Sequence, residues 1–346
     1  MSSLLLTPLS LIYRGFVFAR NLAYDNKWFN INRLNRPVIS IGNITAGGAG
    51  KTPLARYLAE TLGRKGFSVA LLSRGYRRKR DDNIVFRSSK ELKLTADNIG
   101  DEPAMLSEML DEVIFGIGAN RFITGSEIID RFNPDVFLLD DGFQHRKLHR
   151  DLDILVVDSH QLFHNEQCLP AGMLREPVEN IQRADIIVVK NINDDTSYLR
   201  SKESINKLGF DIPVLNGKIK VMGLYDVDSS EKEQLDFITG KRVIAFCGIG
   251  NAGGFRKTIE EQGASIQSFI KFRDHHYYSE RDIALISGKF AESNAELLLT
   301  TMKDAARLKS VTFDCPVYAI DIGYEFDCAD EQTLISSVLN IINGFR

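Results

Sequence analysis

Cysteine is scarce, with four in 346 residues. Cys168, Cys247, Cys315 and Cys328 lie far apart and form no C-x-x-C, which argues against a zinc site or a disulfide framework and fits a reducing cytosol. Net charge is small too: 43 Lys and Arg against 46 Asp and Glu leave −3, so binding nucleic acid through bulk charge is not expected. Long apolar runs are missing. The N-terminal stretch holding Leu4, Leu5, Leu6, Leu9, Leu11, Ile12, Phe16, Val17 and Phe18 is broken by Arg14 and Arg20, well short of the ~20 apolar residues of a spanning helix. No basic segment precedes it and no small-residue cleavage site follows, so a secretory signal is not expected. Internal repeats and low-complexity tracts are absent as well. What remains is an ordinary globular composition, 44 % hydrophobic and 26 % charged, long enough for two domains of about 150 residues each.

The N-terminal stretch has two readings. It is either a core helix covering the first domain, slightly ahead on the residues alone, or a helix lying in a membrane interface. In the second case Arg14, Arg20 and Lys27 face lipid headgroups, and Tyr13, Phe16, Phe18 and Tyr24 sit at the boundary.

The stretch from Pro37 to Pro53 carries the strongest signal. Val38-Ile39-Ser40-Ile41 is short and apolar enough for a buried strand; it enters a glycine-rich loop, and Lys51-Thr52-Pro53 opens a helix with Leu54, Tyr57, Leu58 and Leu62 on its apolar face. Such a loop cradles phosphate. The backbone of Thr45, Ala46, Gly47, Gly48, Ala49 and Gly50 can turn N–H groups inward, Lys51 supplies a point charge, and the Thr52 hydroxyl can ligate Mg²⁺. Thr45 stands where the general G-x-x-x-x-G-K-[ST] pattern has its first glycine. A structural glycine turn before a helix is the plain alternative, and it leaves Gly50-Lys51-Thr52 unexplained.

Downstream, Ser68-Val69-Ala70-Leu71-Leu72 reads as a strand ending in Ser73-Arg74-Gly75-Tyr76-Arg77-Arg78-Lys79-Arg80, five cations in seven residues. A charge run is usually a solvated loop, but this one begins where an α/β sheet binds ligands, and Arg74 is nearest the strand. Gly100-Asp101-Glu102-Pro103 opens a helix, with Asp101 a base or merely an N-cap. Val136-Phe137-Leu138-Leu139-Asp140-Asp141 has the form of a strand delivering an acid beside phosphate-bound Mg²⁺, roughly 90 residues after the phosphate loop. The runs Leu152–Asp158 and Asp185–Lys190 are continuously apolar, as in a parallel sheet buried on both faces.

After a polar stretch, Val243–Cys247 runs into Gly248-Ile249-Gly250-Asn251-Ala252-Gly253, which matches G-x-G-x-x-G, and Asp274 lies near the offset of a ribose-binding acid. A dinucleotide site there is a rival reading, although tight strand-to-helix turns use the same glycines structurally. Asp274-His275-His276 holds two of the six histidines. No further ligands follow at metal spacing, so a proton-handling histidine is the better functional reading.

The expected fold is α/β, a P-loop NTPase-like, mostly parallel sheet with helices on both faces, plus a second, smaller α/β lobe. The division is residues 1–215, the P-loop kinase domain with the N-terminal apolar helix, and 216–346, whose C-terminal helix can pack back on the first domain.

Taken together, Ser40–Pro53, Ser73-Arg74-Gly75-Tyr76, Gly100-Asp101-Glu102-Pro103, Asp140-Asp141-Gly142-Phe143-Gln144-His145, Leu174-Arg175-Glu176-Pro177, Asp274-His275-His276 and Thr301-Met302-Lys303-Asp304-Ala305 resemble, in order and spacing, the tetraacyldisaccharide 4'-kinases of lipid A biosynthesis, over nearly the whole chain. Thr45 is what that family's loop has; Met302 stands where the family shows an acid. The resemblance implies transfer of the γ-phosphoryl of ATP to the 4'-hydroxyl of a tetraacylated glucosamine disaccharide 1-phosphate, at the cytoplasmic face of the bacterial inner membrane. It favours the interfacial reading of the N-terminal helix, because a substrate with four acyl chains stays in the bilayer.

By the same resemblance, Thr52 with Asp140 or Asp141 surrounds Mg²⁺, Glu176 completes that shell, and Arg74, Tyr76, Gln144, His145 and Arg175 serve the acceptor. Asp101 with His275 or His276 is the expected proton acceptor, brought together from different lobes by a closing cleft. No nucleic acid and no obligate protein partner is expected. Two other functions remain open at this point. One is a switch-type P-loop ATPase or GTPase, for which Lys190-Asn191 has the base-reading residues in reversed order; the other is a dinucleotide enzyme centred on Gly248, Gly250 and Gly253.

Overall fold

The continuous apolar runs become strands buried along most of their length, as parallel strands covered on both faces must be. The computed structural model describes residues 2–76, 78–79, 81–89, 94–163, 166–191, 194–229, 231–308 and 311–345, with backbone alone for residues 2–5. Arg77 and Arg80 of the cationic run lie outside the described residues.

The strands are β1 (Val38–Gly42), β2 (Val69–Ser73), β3 (Ile84–Arg87), β4 (Ile114–Ile117), β5 (Val136–Asp140), β6 (Leu152–Asp158), β7 (Ile186–Asn191), β8 (Val214–Asp226), β9 (Lys232–Glu233), β10 (Arg242–Cys247), β11 (Ser265–Lys271), β12 (Leu297–Thr301) and β13 (Val317–Glu325). The helices are α1 (Ser2–Asp25), α2 (Lys51–Arg64), α3 (Ala96–Ile99), α4 (Asp101–Met109), α5 (Arg121–Phe132), α6 (Asp195–Asn206), α7 (Ala252–Glu261), α8 (Glu280–Ala291), α9 (Met302–Leu308) and α10 (Cys328–Gly344).

Among the described residues the strands join one sheet in the order β11-β10-β12-β13-β8-β7-β6-β1-β5-β2-β4-β3, with β9 alongside β8. β3 runs antiparallel to β4, and β13 and β9 run antiparallel to β8; the other pairings are parallel. The phosphate-loop strand β1 lies between β5 and β6.

The long strand β8 is used in two stretches, one after the other. Val214–Lys218 pairs with β7, and Lys218–Asp226 pairs with β13, so Lys218 is the position registered with both neighbours. Gly217 sits beside it because a Cβ there would come to 2.5 Å from the Tyr324 ring.

Side-chain alternation along each strand feeds a layer on either face. Ile39 and Ile41 share a cluster with Leu54, Leu58 and Leu62 of α2, Leu106 of α4, and Leu334 and Val338 of α10, so the C-terminal helix lies in the core of the first part of the chain. Leu72, Phe137 and Leu139 face Ile128 of α5, and Val157 and Val189 face Tyr198 and Ile205 of α6. In the second part, Val243, Ala245 and Cys247 meet Phe255 and Ile259 of α7, while Ile244 and Phe246 meet Ile286 of α8.

Helix α1 combines parts of both sequence readings. One stripe docks: Ser10 Oγ donates to the Cys168 carbonyl at 2.7 Å, Tyr13 Oη to the Arg175 carbonyl at 2.9 Å, and Val17 and Tyr24 are buried. Another face carries uncovered apolar side chains, with Leu11, Ile12, Phe16 and Phe18 each more than half exposed and Trp28 just beyond the helix 72 % exposed. Among the described residues no helix is long and apolar enough to cross a membrane.

Candidate active site

The phosphate loop is built by close approach. At the end of β1 a Cβ on Gly42 would strike the Phe143 backbone at 2.6 Å, so this glycine lets the turn after β5 press on the loop. Gly50, at φ +94°, caps α2 in a left-handed conformation, and a Cβ there would lie 2.6 Å from Tyr324 Oη and 2.8 Å from Lys190 Cδ. Asn43 braces the inside of the loop: its Nδ2 donates to the Thr45 carbonyl at 2.6 Å and its Oδ1 accepts from Lys51 Nζ at 3.1 Å. On the outside, Ala46 N donates to the Met173 carbonyl and Arg175 N to the Ile44 carbonyl, both at 2.7 Å.

Lys51 is buried and lies 3.3 Å from Asp141 Oδ1. Arg175 Nη1 donates to both Asp141 oxygens at 2.9 Å, which places it beside the phosphate loop. Burial would raise the Asp141 pKa, but Lys51 and Arg175 outweigh it and hold the carboxyl below its ordinary range. Asp140, at the end of β5, is the reverse case. It is 2 % exposed, neither carboxylate oxygen has a hydrogen-bond partner among the described residues, and burial together with the charges of Glu102 and Asp141 raises its pKa to about 7.

Glu102, which the sequence reading passed over, completes this acidic group. Burial would raise its pKa, and Lys303 and Lys51, with a hydrogen bond from Thr52, bring it down instead. Lys303 comes from α9 and pairs with Glu102 across the sheet's two parts. Gln144 donates from Nε2 to the Asn43 carbonyl at 2.9 Å.

Arg121 was also missed. It is 7 % exposed, and burial together with nearby Arg74 lowers its pKa to about 10, against the pull of Asp141 and Asp140. His145 lies in the same cationic region: burial, then Arg121, Arg150, Lys147 and Arg74, lowers its pKa to about 4. Arg74 is exposed, so this face presents positive charge to solvent.

Asp101 sits at the first turn of α4, after Gly100 at φ +93°. Gly100 is needed for contact, since a Cβ would meet the Gly75 backbone at 2.9 Å, and this packing carries Tyr76 towards Asp101. His275 Nδ1 lies 2.8 Å from Asp101 Oδ2, and the Tyr76 ring meets the His275 ring edge-on at 5.8 Å between centroids. Burial would raise the Asp101 pKa, yet hydrogen bonds from His275 and Arg307 and the Arg307 charge lower it to about 2. Both of these side chains come from the far part of the chain.

Of the two histidines, only His275 reaches Asp101. Its left-handed backbone, φ +58°, turns its ring towards α4, while His276 stacks on Phe272 at 4.6 Å and bonds Asp282 Oδ2 at 3.0 Å. Glu176 is placed elsewhere too. Fully buried, it receives Arg20, Asn21, Asn180 and Arg183 at 2.8–3.2 Å, so its carboxylate is spent on docking α1 rather than joining Asp140 and Thr52.

The glycine turn at Gly248 is also occupied by protein. Its N–H donates to Asp304 Oδ1 at 3.1 Å, its carbonyl accepts from His275 N at 2.9 Å, and Gly250 faces the Asp274 carboxylate. These contacts serve the His275 segment and leave the dinucleotide reading without support.

A largely parallel sheet with a phosphate loop after one of its inner strands, acids at the end of the neighbouring strand, and a carboxylate–imidazole pair defines a P-loop phosphotransferase. A family model described as LpxK, tetraacyldisaccharide-1-P 4'-kinase, matches residues 2–343, and the chain belongs to that family. It is 39 % identical over 316 residues to the tetraacyldisaccharide 4'-kinase of Syntrophus aciditrophicus, covering 88 % of this chain and 84 % of that one. It is 36 % identical over 305 residues to the protein of that name from Aquifex aeolicus, covering 88 % and 89 %. A crystal structure of LpxK from Aquifex aeolicus in complex with ATP superposes with a TM-score of 0.80 at 32 % identity, covering 99 % of this chain and all of that one.

Proposed function

We propose that this protein transfers the γ-phosphoryl group of ATP to the 4'-hydroxyl of a tetraacyldisaccharide 1-phosphate, with Asp101 and His275 as the proton acceptor. The observation that carries the assignment is the 2.8 Å contact between Asp101 and His275, from opposite parts of the chain, in a member of a 4'-kinase family. Lys51 and the loop amides of residues 45–50 hold the β- and γ-phosphates. Asp101 is ionised and can only accept, so the proton on the facing His275 nitrogen stays on Nδ1 and the lone pair sits on Nε2. That lone pair takes the proton of the sugar hydroxyl as it attacks, and Asp101 stabilises the imidazolium. Arg74, Tyr76 and His145 line the acceptor side, with Arg121 adding charge for an anionic substituent, while Gln144 and Arg175 stand against the phosphate loop.

The residues present fit Mg²⁺. The two oxygens of buried Asp140 have no hydrogen-bond partner among the described residues and stand beside Glu102 and Asp141, so they are open to a metal ion, and Thr52 adds a hydroxyl. Among the described residues no group of three or more His, Cys, Asp or Glu is arranged to hold a metal ion by itself, so an ion here would take the rest of its shell from phosphates and water. The chemistry such an ion supplies is neutralisation of charge on the phosphate oxygens.

We read the chain as two lobes, 1–215 and 216–346, sharing β8, working at the cytoplasmic face of the inner membrane, with α1 in the interface. The test of the activity is transfer of labelled phosphate from ATP to the disaccharide lipid, with Lys51→Ala as control. No labelled lipid from the wild-type chain would sink the assignment.

The anchor has its own test. Leu11→Glu with Phe16→Glu changes only the uncovered face of α1, leaving Ser10, Tyr13 and Asn21 docked. Each buried apolar side chain is worth about 1.5–3 kcal/mol, so co-sedimentation with vesicles of phosphatidylethanolamine and phosphatidylglycerol should fall at least ~10-fold with an unchanged melting temperature. Unaltered vesicle binding would show that α1 is not the anchor.

A further inference from the structure

One cation beside the Asp101–His275 pair has no role in the mechanism above. Arg307, on α9, is 1 % exposed at its side chain, and its two terminal nitrogens face opposite ways. Nη1 donates to the Gly248 carbonyl at 3.2 Å and to Asp304 Oδ1 at 3.0 Å. Nη2 donates to Asp101 Oδ2 at 2.7 Å and lies 3.3 Å from His275 Nδ1. Asp304, fully buried, is itself held by Gly248 N and by Thr301 Oγ1 at 2.7 Å. The Gly248 carbonyl that receives Arg307 also receives the His275 backbone. A side chain at Gly248 would press on His276 Cβ at 3.0 Å and on the Arg273 carbonyl at 3.1 Å. The glycine pattern that resembled a dinucleotide fingerprint is therefore used to seat one guanidinium and one histidine against the same peptide unit.

The chemistry of that seat is directional. A guanidinium is planar, carries donors only and keeps its charge, so it fixes the orientation of any carboxylate it grips. Oδ2 of Asp101 receives two donors, Arg307 Nη2 and His275 Nδ1–H, while Oδ1 has no partner among the described residues. Without Arg307 the carboxylate could rotate about its Cβ–Cγ bond and the imidazole would follow it away from the phosphate loop.

We propose that Arg307 is a positioning residue for phosphoryl transfer: anchored to Asp304 and the Gly248 turn, it sets the orientation of Asp101 and through it the tautomer and aim of His275. The proposal rests on reading Asp101 and His275 as the proton acceptor.

The test uses the full chain, with kcat, KM for ATP and melting temperature measured for Arg307→Met, Arg307→Lys, His275→Ala, and each Arg307 variant combined with His275→Ala. Misplacing a catalytic group by about 1 Å costs about 100-fold, so Arg307→Met should lower kcat by that order while KM for ATP moves less than ~3-fold. Arg307→Lys reaches Asp101 with a single donor and should recover about tenfold of the loss. In the His275→Ala background either Arg307 change should cost less than ~3-fold, because the group it aims is gone. Should Arg307→Met fail to fold, the Arg307→Lys pair of measurements decides alone.

Equal losses in both backgrounds, or a loss carried by KM for ATP, would reduce Arg307 to a structural ion pair. Impairment by His275→Ala with none from either Arg307 variant would overturn the positioning role and leave the base intact. Full activity of His275→Ala would overturn both.

Discussion

Lys51→Ala and Thr52→Ala are each expected to lower phosphoryl transfer by roughly 10²–10³-fold, the loss typical of removing one preorganised charge or donor at the transferring group. The protein should stay folded. Lys51 stands against Asn43 Oδ1 and Asp141 Oδ1 rather than in the apolar clusters, so truncating it opens no hole in the core. Its removal takes one cation from the acidic group, but Asp140, with its pKa already near 7, can hold a proton and relieve the remaining repulsion. Lys303 still faces Glu102. The measurements are the transfer rate with saturating ATP and the melting temperature. Near-normal turnover by either variant would remove the phosphate-loop reading.

The second large effect concerns the base. Asp101→Ala and His275→Ala should each reduce kcat by about 10²–10³-fold and change KM for ATP little, since a positioned general base contributes on that scale and neither residue reaches the phosphate loop. The double variant should be no slower than the worse single one, because either loss disables the pair. His276→Ala should cost far less, its ring being committed to Asp282 and Phe272. A double variant whose loss equals the product of the two single losses would mean independent roles, and the pair would have to be abandoned.

How much of this could be read from the chain depends on how local the information was. The phosphate loop and its strand, the acid-bearing strand at Asp140 and the parallel runs were legible because periodicity and glycine placement act over a few residues. The continuity of the sheet was not. β8 is broken by Asn216, Lys218 and Lys220 near its middle, and its pairing with β13 joins residues about 100 apart.

The choice between His275 and His276 was beyond sequence as well, since it turns on a left-handed backbone at a non-glycine residue, a conformation a sequence does not announce. Glu102 offered a signal that went unused. Two consecutive acids on a helix point about 100° apart, so Asp101 and Glu102 were bound to serve different partners, and they do: one meets His275, the other Lys303. Glu176 shows the opposite failing. Its place in the motif implied a ligand, while three donors and the charge of Arg183, from α1 and its own loop and invisible at that range, had claimed the carboxylate.

The serial pairing of β8 has a thermodynamic consequence. Because Lys218 is the position where the strand passes from one neighbour to the other, any rotation of the two parts of the sheet against each other would turn about that seam. Asp101–His275, Glu102–Lys303 and the contact of Gly50 with Tyr324 all span it. A ligand that shifted one part of the sheet against the other would act on all three contacts at once, and linkage would make any such coupling reciprocal: by whatever factor bound ATP changed affinity for the sugar lipid, the sugar lipid would change affinity for ATP.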